Sequence, residues 1–315
     1  MRNVYCIGEL LIDFVAEKQG SDLSRAKDFT KKAGGAPANV AAAIAKLKGN
    51  GYFVGCVGKD PFGSFLVHTL DQGLVNTSLI QRVSTFTTLA FVSLAEDGER
   101  DFVFARGADR ELRYDPGLKE LFKDQIVHFG AATALLGGSL EEAYTRYYRD
   151  ALSSNSFICF DPNFRTDLWK GEEASFIKKC IPFIERSHMG KFSREEAQLI
   201  SGKTDLREAC TYLHDVGIKI LTITLGSEGT YLSTPTINKI IPSITVKPVD
   251  TTGAGDAFIG CLLKQIAEMD DLGSLYEANG PLEKMTLLAN KAGAITTTNY
   301  GAIESLPDQE QLNAV

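Results

Sequence analysis

The chain has 315 residues, 44% of them hydrophobic, which is enough to form a large buried core. The formal net charge is −7 and the cationic residues are scattered, which argues against a nucleic-acid partner. Six cysteines stand singly in the sequence without a C-x-x-C pair, which favours free thiols in a reducing, cytoplasmic location. No stretch approaches the roughly 20 apolar residues of a membrane span, so no membrane association is expected.

Short β-rich runs alternate with helical patterns along most of the chain. Residues 3–15 are expected to form one buried strand, Pro37 to open an alanine-rich helix, and residues 52–58 and 62–72 to form a strand and a helix. Further strands are expected at residues 125–132, 156–163, 188–193 and 219–226. Another is expected to end at Asp250, just before a helix. This order predicts an α/β fold with a mostly parallel sheet covered on both faces.

Two segments depart from this alternation. Residues 14–33 are polar and rich in turn formers, and residues 85–106 contain two β-rich runs joined at the sequence EDGE (96–99), which is a hairpin signal. Antiparallel strands in a parallel α/β chain predict a small accessory sheet over the carboxyl edge of the main sheet, where such folds bind ligands. We therefore expect one domain over residues 1–315, with a lid formed by about 14–33 and 85–106.

The segment DTTGAGDAF (250–258) stands at the start of a predicted helix. Gly253, Ala254 and Gly255 let backbone N–H groups approach one point, and the helix N-terminus adds the positive end of its dipole. These features predict a site for negative charge. Asp256 is then either an ordinary carboxylate in the first turn of a helix or a base held beside an anion that forms during a reaction.

Two other glycine turns are candidates for ligand contact. Gly34 and Gly35 precede the helix that carries Asn39, and this turn either approaches a ligand or is a tight connection from strand to helix. Gly226 and Gly229 follow a strand that is expected to end at Leu225, and they either cradle a nucleotide or form a hairpin turn. Neither turn alone identifies a ligand.

Three stretches together resemble the ribokinase family, the PfkB carbohydrate kinases: GGAPANVAAAIAKL (34–47), FVGCVGKDPFG (53–63) and DTTGAGDAFIG (250–260). The resemblance runs in order along essentially the whole chain. GGAPANVA, FARGAD (104–109) and DPNFRTDLW (161–169) are most similar to fructokinases, with 2-keto-3-deoxygluconate kinases next. The resemblance implies a ribokinase-like three-layer α/β sandwich and an ATP-dependent phosphotransferase that acts on a sugar hydroxyl.

The resemblance also implies roles for individual residues. Asp256 corresponds to the catalytic base, and Gly253, Ala254 and Gly255 correspond to the anion hole for the transferred phosphate. The implied sugar contacts are Asp13, Gly34, Gly35 and Asn39. The implied nucleotide contacts are Thr224, Gly226, Ser227, Gly229 and Asn290. The implied K⁺ site comprises Asp250, Thr252, Thr296, Asn299, Gly301 and Ser305.

One element departs from the family pattern. The N-x-x-E sequence that helps to organise Mg²⁺ corresponds to Ser193-Arg-Glu-Glu196, with serine in place of asparagine. Glu196 is expected to contact Mg²⁺ through water, although a capping box formed by Ser193 and Glu196 fits the same residues. Arg106 and Arg165 are expected either to meet a phosphate or a substrate carboxylate, or to form ion pairs at the hinge of the lid.

The sequence thus predicts an ATP-dependent kinase of a primary sugar hydroxyl, with D-fructose converted to fructose 6-phosphate, Mg²⁺ and K⁺ as cations, and a homodimer formed through the lid. A 2-keto-3-deoxygluconate kinase is the alternative enzyme, and it would need Arg106 or Arg165 to meet the carboxylate of that acid. A non-catalytic sugar or nucleotide sensor would be expected to have a damaged 253–256 loop. This loop is intact.

Overall fold

The computed structural model describes residues 1–17, 20, 22–94, 100–277 and 280–314, with the backbone alone at 94, 100 and 101. The strands in these ranges are β1 (Asn3–Ile7), β2 (Leu11–Ala16), β3 (Phe29–Gly34), β4 (Asn50–Gly58), β5 (Ile80–Val83), β6 (Leu89–Leu94), β7 (Arg100–Ala105), β8 (Ile126–Gly130), β9 (Phe157–Asp161), β10 (Met189–Ser193), β11 (Ile220–Thr224), β12 (Thr230–Ser233) and β13 (Asn238–Ile241). The helices are α1 (Ala36–Lys46), α2 (Pro61–Gln72), α3 (Leu118–Leu121), α4 (Gly138–Ser153), α5 (Thr166–Trp169), α6 (Glu173–Arg186), α7 (Arg194–Ser201), α8 (Leu206–Val216), α9 (Ala254–Glu268), α10 (Leu282–Thr296) and α11 (Gln309–Ala314).

Nine strands form one large sheet in the order β13-β12-β11-β10-β9-β8-β1-β4-β5. Its pairs are parallel except β11–β12 and β12–β13, which are antiparallel. Successive side chains of β1 enter different cores: Val4 and Cys6 pack with α1, α9 and α10, whereas Tyr5 and Ile7 pack with α4 and α6. The sheet is therefore covered by helices on both faces, and the predicted α/β architecture is confirmed.

Two of the strand predictions are wrong. Residues 3–15 form β1 and β2 rather than one strand, because the chain turns at Gly8 (φ +152°), where a Cβ atom would lie 2.5 Å from Cγ of Pro37. No strand ends at Asp250, since residues 242–253 are neither strand nor helix. The N–H groups of Val249 and Asp250 instead donate to the carbonyl of Thr297, at 2.7 and 3.1 Å.

The strands outside the large sheet form a second, four-stranded sheet in the order β3-β2-β6-β7. In it, β2 pairs with β3 antiparallel and with β6 parallel, and β6 pairs with β7 antiparallel. The segments 14–33 and 85–106 thus contribute to one small sheet, although β2 already begins at Leu11. The turn predicted at 96–99 lies outside the described residues, and the role of this sheet as a lid stays a prediction.

Helices α1 and α9 pack so closely that their first turns face one another. At Gly260 of α9, a Cβ atom would lie 2.5 Å from Cβ of Ala43 and 3.0 Å from the carbonyl oxygen of Val40. Ala43 of α1 and Gly260 of α9 allow this approach, because one carries only a methyl group and the other has no side chain. The contact brings Asn39 in α1 and Asp256 in α9 within hydrogen-bond distance.

Each of the six cysteine thiols is buried and free, as the sequence predicts. Over the ranges that the structure describes, every helix is too short or too polar to cross a lipid bilayer.

Replacing Gly260 by alanine should destabilise the protein by about 1–3 kcal/mol, because the added methyl group overpacks the contact between α1 and α9. Helix propensity alone predicts the opposite sign, since alanine is favoured over glycine within helices. Gly117→Ala is the matched control, because its φ is −64° and its nearest neighbour is the flexible side chain of Asp115. Urea unfolding of both variants tests this; an unchanged or stabilised Gly260→Ala protein would show that the helices can separate at no cost.

Candidate active site

A cavity of about 470 Å³ lies at the carboxyl ends of β8, β9 and β10, beneath the small sheet. Nine of the predicted site residues line it: Asp13, Gly35, Asn39, Arg165, Glu196, Thr252, Gly253, Gly255 and Asp256. Phe102 and Phe104 of β7 contribute apolar wall from the small sheet. Residues that are nearly 250 positions apart in the sequence thus face one space, at the edge where open α/β sheets bind ligands.

The turn before α9 lines this cavity with Gly253 and Gly255, and the N–H of Ala254 between them donates to the carbonyl of Thr251 at 3.4 Å. Gly253 has φ +79°, and a Cβ atom there would lie 2.7 Å from Cβ of Ala302, so a side chain is excluded by both conformation and space. Gly253 is the N-cap residue of α9, so no N-cap side chain accepts a hydrogen bond from the first turn of this helix. Uncapped amides and the positive end of the helix dipole together form an anion-binding arrangement.

Asp256 is a half-buried carboxylate held by one defined partner. The Nδ2 group of Asn39 donates to its Oδ2 atom at 2.8 Å. Burial raises the pKa of Asp256, while the hydrogen bond from Asn39 and the ammonium group of Lys191 oppose that rise. A carboxylate with a raised pKa is a stronger base than a solvated one, and its side chain is already oriented by Asn39.

Asp13 stands on β2, opposite the glycine turn that opens α1. A Cβ atom on Gly34 would collide with the Asp13 carboxylate, so this glycine makes room for the acid. Burial raises the pKa of Asp13 to about 7, with Arg165 opposing and Asp256 reinforcing the shift. Gly35 has φ +110°, and a Cβ there would lie 2.5 Å from the carbonyl oxygen of Glu9. The turn therefore needs both glycines for its geometry.

Glu9 was not selected from the sequence, yet it lines the cavity and is only 2% exposed. Its Oε1 atom accepts a hydrogen bond from the N–H of Ala36 at 3.1 Å, whereas Oε2 has no partner among the described residues. Burial raises the pKa of Glu9 to about 8. The sequence signal for this residue was a glutamate inside an apolar run, because such a residue is rarely buried without a function.

Lys191 and Asp161 were also missed. They are 7% and 1% exposed, and Nζ of Lys191 lies 3.1 Å from Oδ2 of Asp161 across neighbouring strands. Burial disfavours the charged form of Lys191, but the carboxylates of Asp161, Glu196 and Asp256 outweigh burial and raise its pKa. A lone lysine in a strand predicted to be buried was the sequence signal.

Ser193 and Glu196 form a capping box at the start of α7. Ser193 Oγ accepts from the N–H of Glu196 at 3.2 Å, and Glu196 Oε2 accepts from the N–H of Ser193 at 2.7 Å. Glu196 Oε1 accepts from the N–H of Phe164 at 2.7 Å. Water-mediated contact of Glu196 with Mg²⁺ stays a prediction. Within the described ranges, no group of three or more His, Cys, Asp or Glu residues could hold a metal by itself.

The predicted nucleotide residues are not among those that line the cavity. Thr224 ends β11, and Gly226 to Gly229 form the turn into β12. Asn290 of α10 is engaged within the protein: its Nδ2 donates to the carbonyls of Ile241 and Pro242, and its Oδ1 accepts from Thr230 at 2.6 Å. Nucleotide contact by these residues stays a prediction.

Arg106 does not line the cavity. Its Nη2 atom lies 2.8 Å from Oδ2 of Asp109, a buried carboxylate that also accepts from Thr88 at the start of β6. The arginine thus stands in an ion pair at the base of the small sheet, and phosphate or substrate contact by Arg106 stays a prediction. Arg165, by contrast, lines the cavity.

The predicted K⁺ residues gather around the loop before α9. Asp250 Oδ1 accepts from the N–H and hydroxyl of Thr252, at 2.9 and 2.6 Å, and Oδ2 accepts from the N–H of Gly301 at 3.0 Å. Thr296 Oγ1 donates to the carbonyl of Ala292, and Ser305 Oγ to that of Tyr300. The donor set is entirely oxygen, which suits a hard cation. Occupation by K⁺ stays a prediction.

A half-buried carboxylate oriented by Asn39, beside the first turn of a helix and facing a cavity, suits the transfer of a phosphoryl group to an alcohol. The family model for pfkB family carbohydrate kinases matches residues 1–309. The chain therefore belongs to this family, and the fold and enzyme class expected from the sequence are confirmed.

Named relatives agree with this membership. Fructokinase-1 of Oryza sativa subsp. japonica is 36% identical over 313 residues, which cover 98% of this chain and 96% of the rice protein. The fructokinase of Xylella fastidiosa with bound ATP superimposes with a TM-score of 0.84 at 31% identity, covering 99% of this chain and 97% of that one. The fructokinase of Vibrio cholerae O395 with fructose, ADP and calcium superimposes with a TM-score of 0.84 at 29% identity, covering 100% and 98%.

Glu9→Gln should gain stability relative to the wild type as the pH rises. The folded protein holds the proton of Glu9 up to about pH 8, whereas the unfolded chain releases it near the ordinary glutamate value. Stability that depends on this proton is present below the unfolded pKa and is lost as the pH rises to the folded pKa. Glutamine cannot ionise, so the variant avoids this loss.

The difference in unfolding free energy, variant minus wild type, should rise by about 1–3 kcal/mol between pH 5 and pH 8.5. Denaturant titrations at four pH values measure this difference in unfolding free energy. Glu120→Gln, at an exposed position, is the control for the general effect of removing one carboxylate. A difference that stays flat or falls would show that Glu9 is already ionised in the folded protein.

Proposed function

We propose that the protein is an ATP-dependent fructokinase that converts D-fructose to fructose 6-phosphate. The observation that carries this proposal is the hydrogen bond from Asn39 to Asp256 beside the uncapped first turn of α9. It supplies an oriented base next to an anion site within one cavity. Fructokinases among the similar proteins support the choice of sugar, as does the V. cholerae neighbour with fructose and ADP.

Buried hydrogen-bond acceptors support a polyol as the substrate. Asn39 Oδ1 and Glu9 Oε2 have no partner among the described residues, and leaving each such group unpaired costs about 1–3 kcal/mol. The hydroxyl groups of a sugar both donate and accept, so they can pair with Asn39 Oδ1 and with the carboxyl group of Glu9, and Asp13 offers a further carboxyl group. Phe102 and Phe104 present apolar surface to the carbon skeleton. The proposed sugar contacts are therefore Asp13, Gly34, Gly35 and Asn39, with Glu9 added.

In the proposed reaction, Asp256 accepts the proton of the primary hydroxyl of the sugar. That oxygen forms a bond to the γ-phosphorus of ATP while the bond from this phosphorus to the bridging oxygen breaks, and ADP leaves with the electron pair. The N–H groups of residues 253–255 hold the negative charge of the phosphoryl group in transfer. Asn39 fixes Oδ2 of Asp256, so Oδ1 faces the substrate.

The nucleotide is proposed to bind at Thr224, Gly226, Ser227 and Gly229, near Asn290. Open space at the Cα atom of Gly226 supports this, because a Cβ atom there would meet nothing within 4 Å. Mg²⁺ is proposed to enter with the phosphates and to reach Glu196 through water; when bound, it neutralises phosphate charge. K⁺ is proposed at Asp250 and the oxygen atoms around residues 296–305, where it would shape the loop before α9.

We propose that residues 1–315 act as one kinase domain and that the small sheet closes over the sugar. Closure would exclude water and so suppress hydrolysis of ATP. The side chains of Val15 and Val103 on this sheet are exposed, which supports a homodimer formed through the lid. Buried free thiols support a cytoplasmic location.

A coupled assay of ADP release tests the substrate. Purified protein is compared on fructose, tagatose, ribose, 2-keto-3-deoxygluconate and nucleosides, with Mg²⁺ and with or without K⁺. The highest kcat/KM should be for fructose, because Asp13 and Glu9 in the cavity lining can form hydrogen bonds with the hydroxyl groups of a neutral polyol. A higher value for 2-keto-3-deoxygluconate would contradict the proposal, and it would indicate that Arg165 meets a substrate carboxylate.

Asp256→Asn should lower kcat by about 10²–10⁴-fold, since asparagine cannot accept the proton of the hydroxyl. The KM for fructose should change less than about threefold, because the amide keeps the size and polarity of the side chain. Asp205→Asn is the matched control: Asp205 caps the N-terminus of α8 with hydrogen bonds to Arg207 and Glu208, away from the cavity. Steady-state kinetics of both variants decide the outcome, and an Asp256→Asn enzyme with more than a tenth of the wild-type kcat would remove Asp256 from the base role.

A further inference from the structure

Lys191 places a buried positive charge against the first turn of α9. Its side chain extends from β10 into the cavity wall, and its Nζ atom is paired with Asp161 at 3.1 Å. A Cβ atom on Gly255 would lie 3.1 Å from the same Nζ and 3.3 Å from Cε. The ammonium group therefore lies directly beside the first turn of α9, and Gly255 makes room for it.

This position is electrostatically unfavourable unless negative charge is nearby. The N-terminus of a helix carries positive partial charge, and proteins usually place cations at the opposite end. Here the helix amides, which have no side-chain cap, and an ammonium group converge on one wall of the cavity. Two independent sources of positive potential at one point are typical of sites that stabilise an anion.

The carboxylates around Lys191 favour its charged form, but they do not cancel all of the positive charge along this wall of the cavity. Asp161, Glu196 and Asp256 raise the pKa of Lys191 despite its burial. Glu196 is engaged by two backbone N–H groups and Asp256 by Asn39, so Asp161 is the carboxylate in direct contact with the ammonium. Asp161 is almost fully buried and ends β9, which fixes Nζ in its place.

We propose that Lys191 is a catalytic residue whose ammonium group contacts an oxygen of the phosphoryl group in transfer, and that Asp161 is the residue that positions it. The inference rests on the proposed kinase activity and is independent of which sugar is the acceptor. No bond to Lys191 forms or breaks, and it keeps its proton while the bond to the sugar oxygen forms and the bond to ADP breaks. Its charge opposes the negative charge on the transferred group.

A structural ion pair between β9 and β10 is the alternative, and it predicts a different result. It would make Lys191 important for stability alone, so its loss would lower Tm without a selective loss of kcat. Lys179 provides the matched comparison. Its Nζ lies 2.6 Å from Oε2 of Glu141 in a partly buried ion pair, and it does not line the cavity.

Lys191→Met should lower kcat by about 10²–10³-fold, the range found when one group that stabilises transition-state charge is removed. The KM for the sugar should stay within threefold of the wild type, because the ammonium acts on the phosphoryl group. Lys191→Arg should recover part of the activity, since it restores the positive charge. Lys179→Met should lower Tm and keep kcat within twofold of the wild type.

A binding measurement supplies a readout that does not depend on turnover. Calorimetry compares ADP alone with ADP plus aluminium fluoride, which mimics the transferred phosphoryl group, in the presence of Mg²⁺ and sugar. Aluminium fluoride should strengthen ADP binding in the wild type. In Lys191→Met this enhancement should be at least tenfold smaller than in the wild type. The affinity of the variant for ADP alone should stay within threefold of the wild-type affinity. A variant that keeps both the enhancement and more than a third of the wild-type kcat would overturn the role of Lys191.

Two arrangements keep the test decisive. If Lys191→Met does not fold because Asp161 is left unpaired, the double variant Lys191→Met with Asp161→Asn removes both charges of the pair. It should show the same losses, and full activity would overturn the proposal. If the wild type phosphorylates another sugar, the choice of fructose fails while Lys191 is tested on that sugar. A wild type without any kinase activity would contradict the proposed function, and the fluoride comparison would still decide whether Lys191 binds the phosphoryl mimic.

Discussion

The hydrogen bond from Asn39 to Asp256 is the interaction on which the rest of the site depends. It spans 217 positions of the sequence and joins the first turns of two helices. It exists because Gly260 lets α9 pack tightly on the alanine-rich face of α1. The same packing brings the first turn of α9 and the carboxylate of Asp256 to the lining of one cavity. The proposed base and the proposed anion site are thus positioned together by one contact between helices, and a shift of either helix would separate them.

The cavity holds more buried acid than its own cations can balance. Glu9, Asp13 and Asp256 all have raised pKa values because burial disfavours their ionised forms, while Lys191 and Arg165 are the cations in its lining. Unpaired acceptors and crowded carboxylates destabilise the empty site, and such groups persist where function requires them. Hydroxyl donors from a sugar relieve the acids. Lys191 and the first turn of α9 add positive charge on another part of the lining, next to Asp256, so the account places a neutral polyol and a phosphoryl group in one cavity.

Much of this arrangement was accessible from the sequence, because it is encoded in short contiguous patterns. The sequence alone identifies the turn at 253–255, the acid at 256 and the glycines at 34 and 35. Their residue types are required by only a few backbone conformations, so they stand out in the sequence. Lys191, Asp161 and Glu9 escaped notice because each is a single charge inside an apolar run. The role of Lys191 becomes apparent only from its ion-pair partner Asp161, which lies 30 positions away on a neighbouring strand. The break at Gly8 was hidden because apolar residues continue through it into the second sheet.

The most direct test of the central claim is a crystal structure with fructose and a non-hydrolysable ATP analogue bound together. The account predicts a primary hydroxyl oxygen about 3 Å from a carboxylate oxygen of Asp256, with the γ-phosphate on the N–H groups of residues 253–255. It also predicts that Asn39 still donates to the other oxygen of that carboxylate. A sugar bound with every hydroxyl beyond reach of Asp256, or a γ-phosphate held away from the first turn of α9, would contradict it.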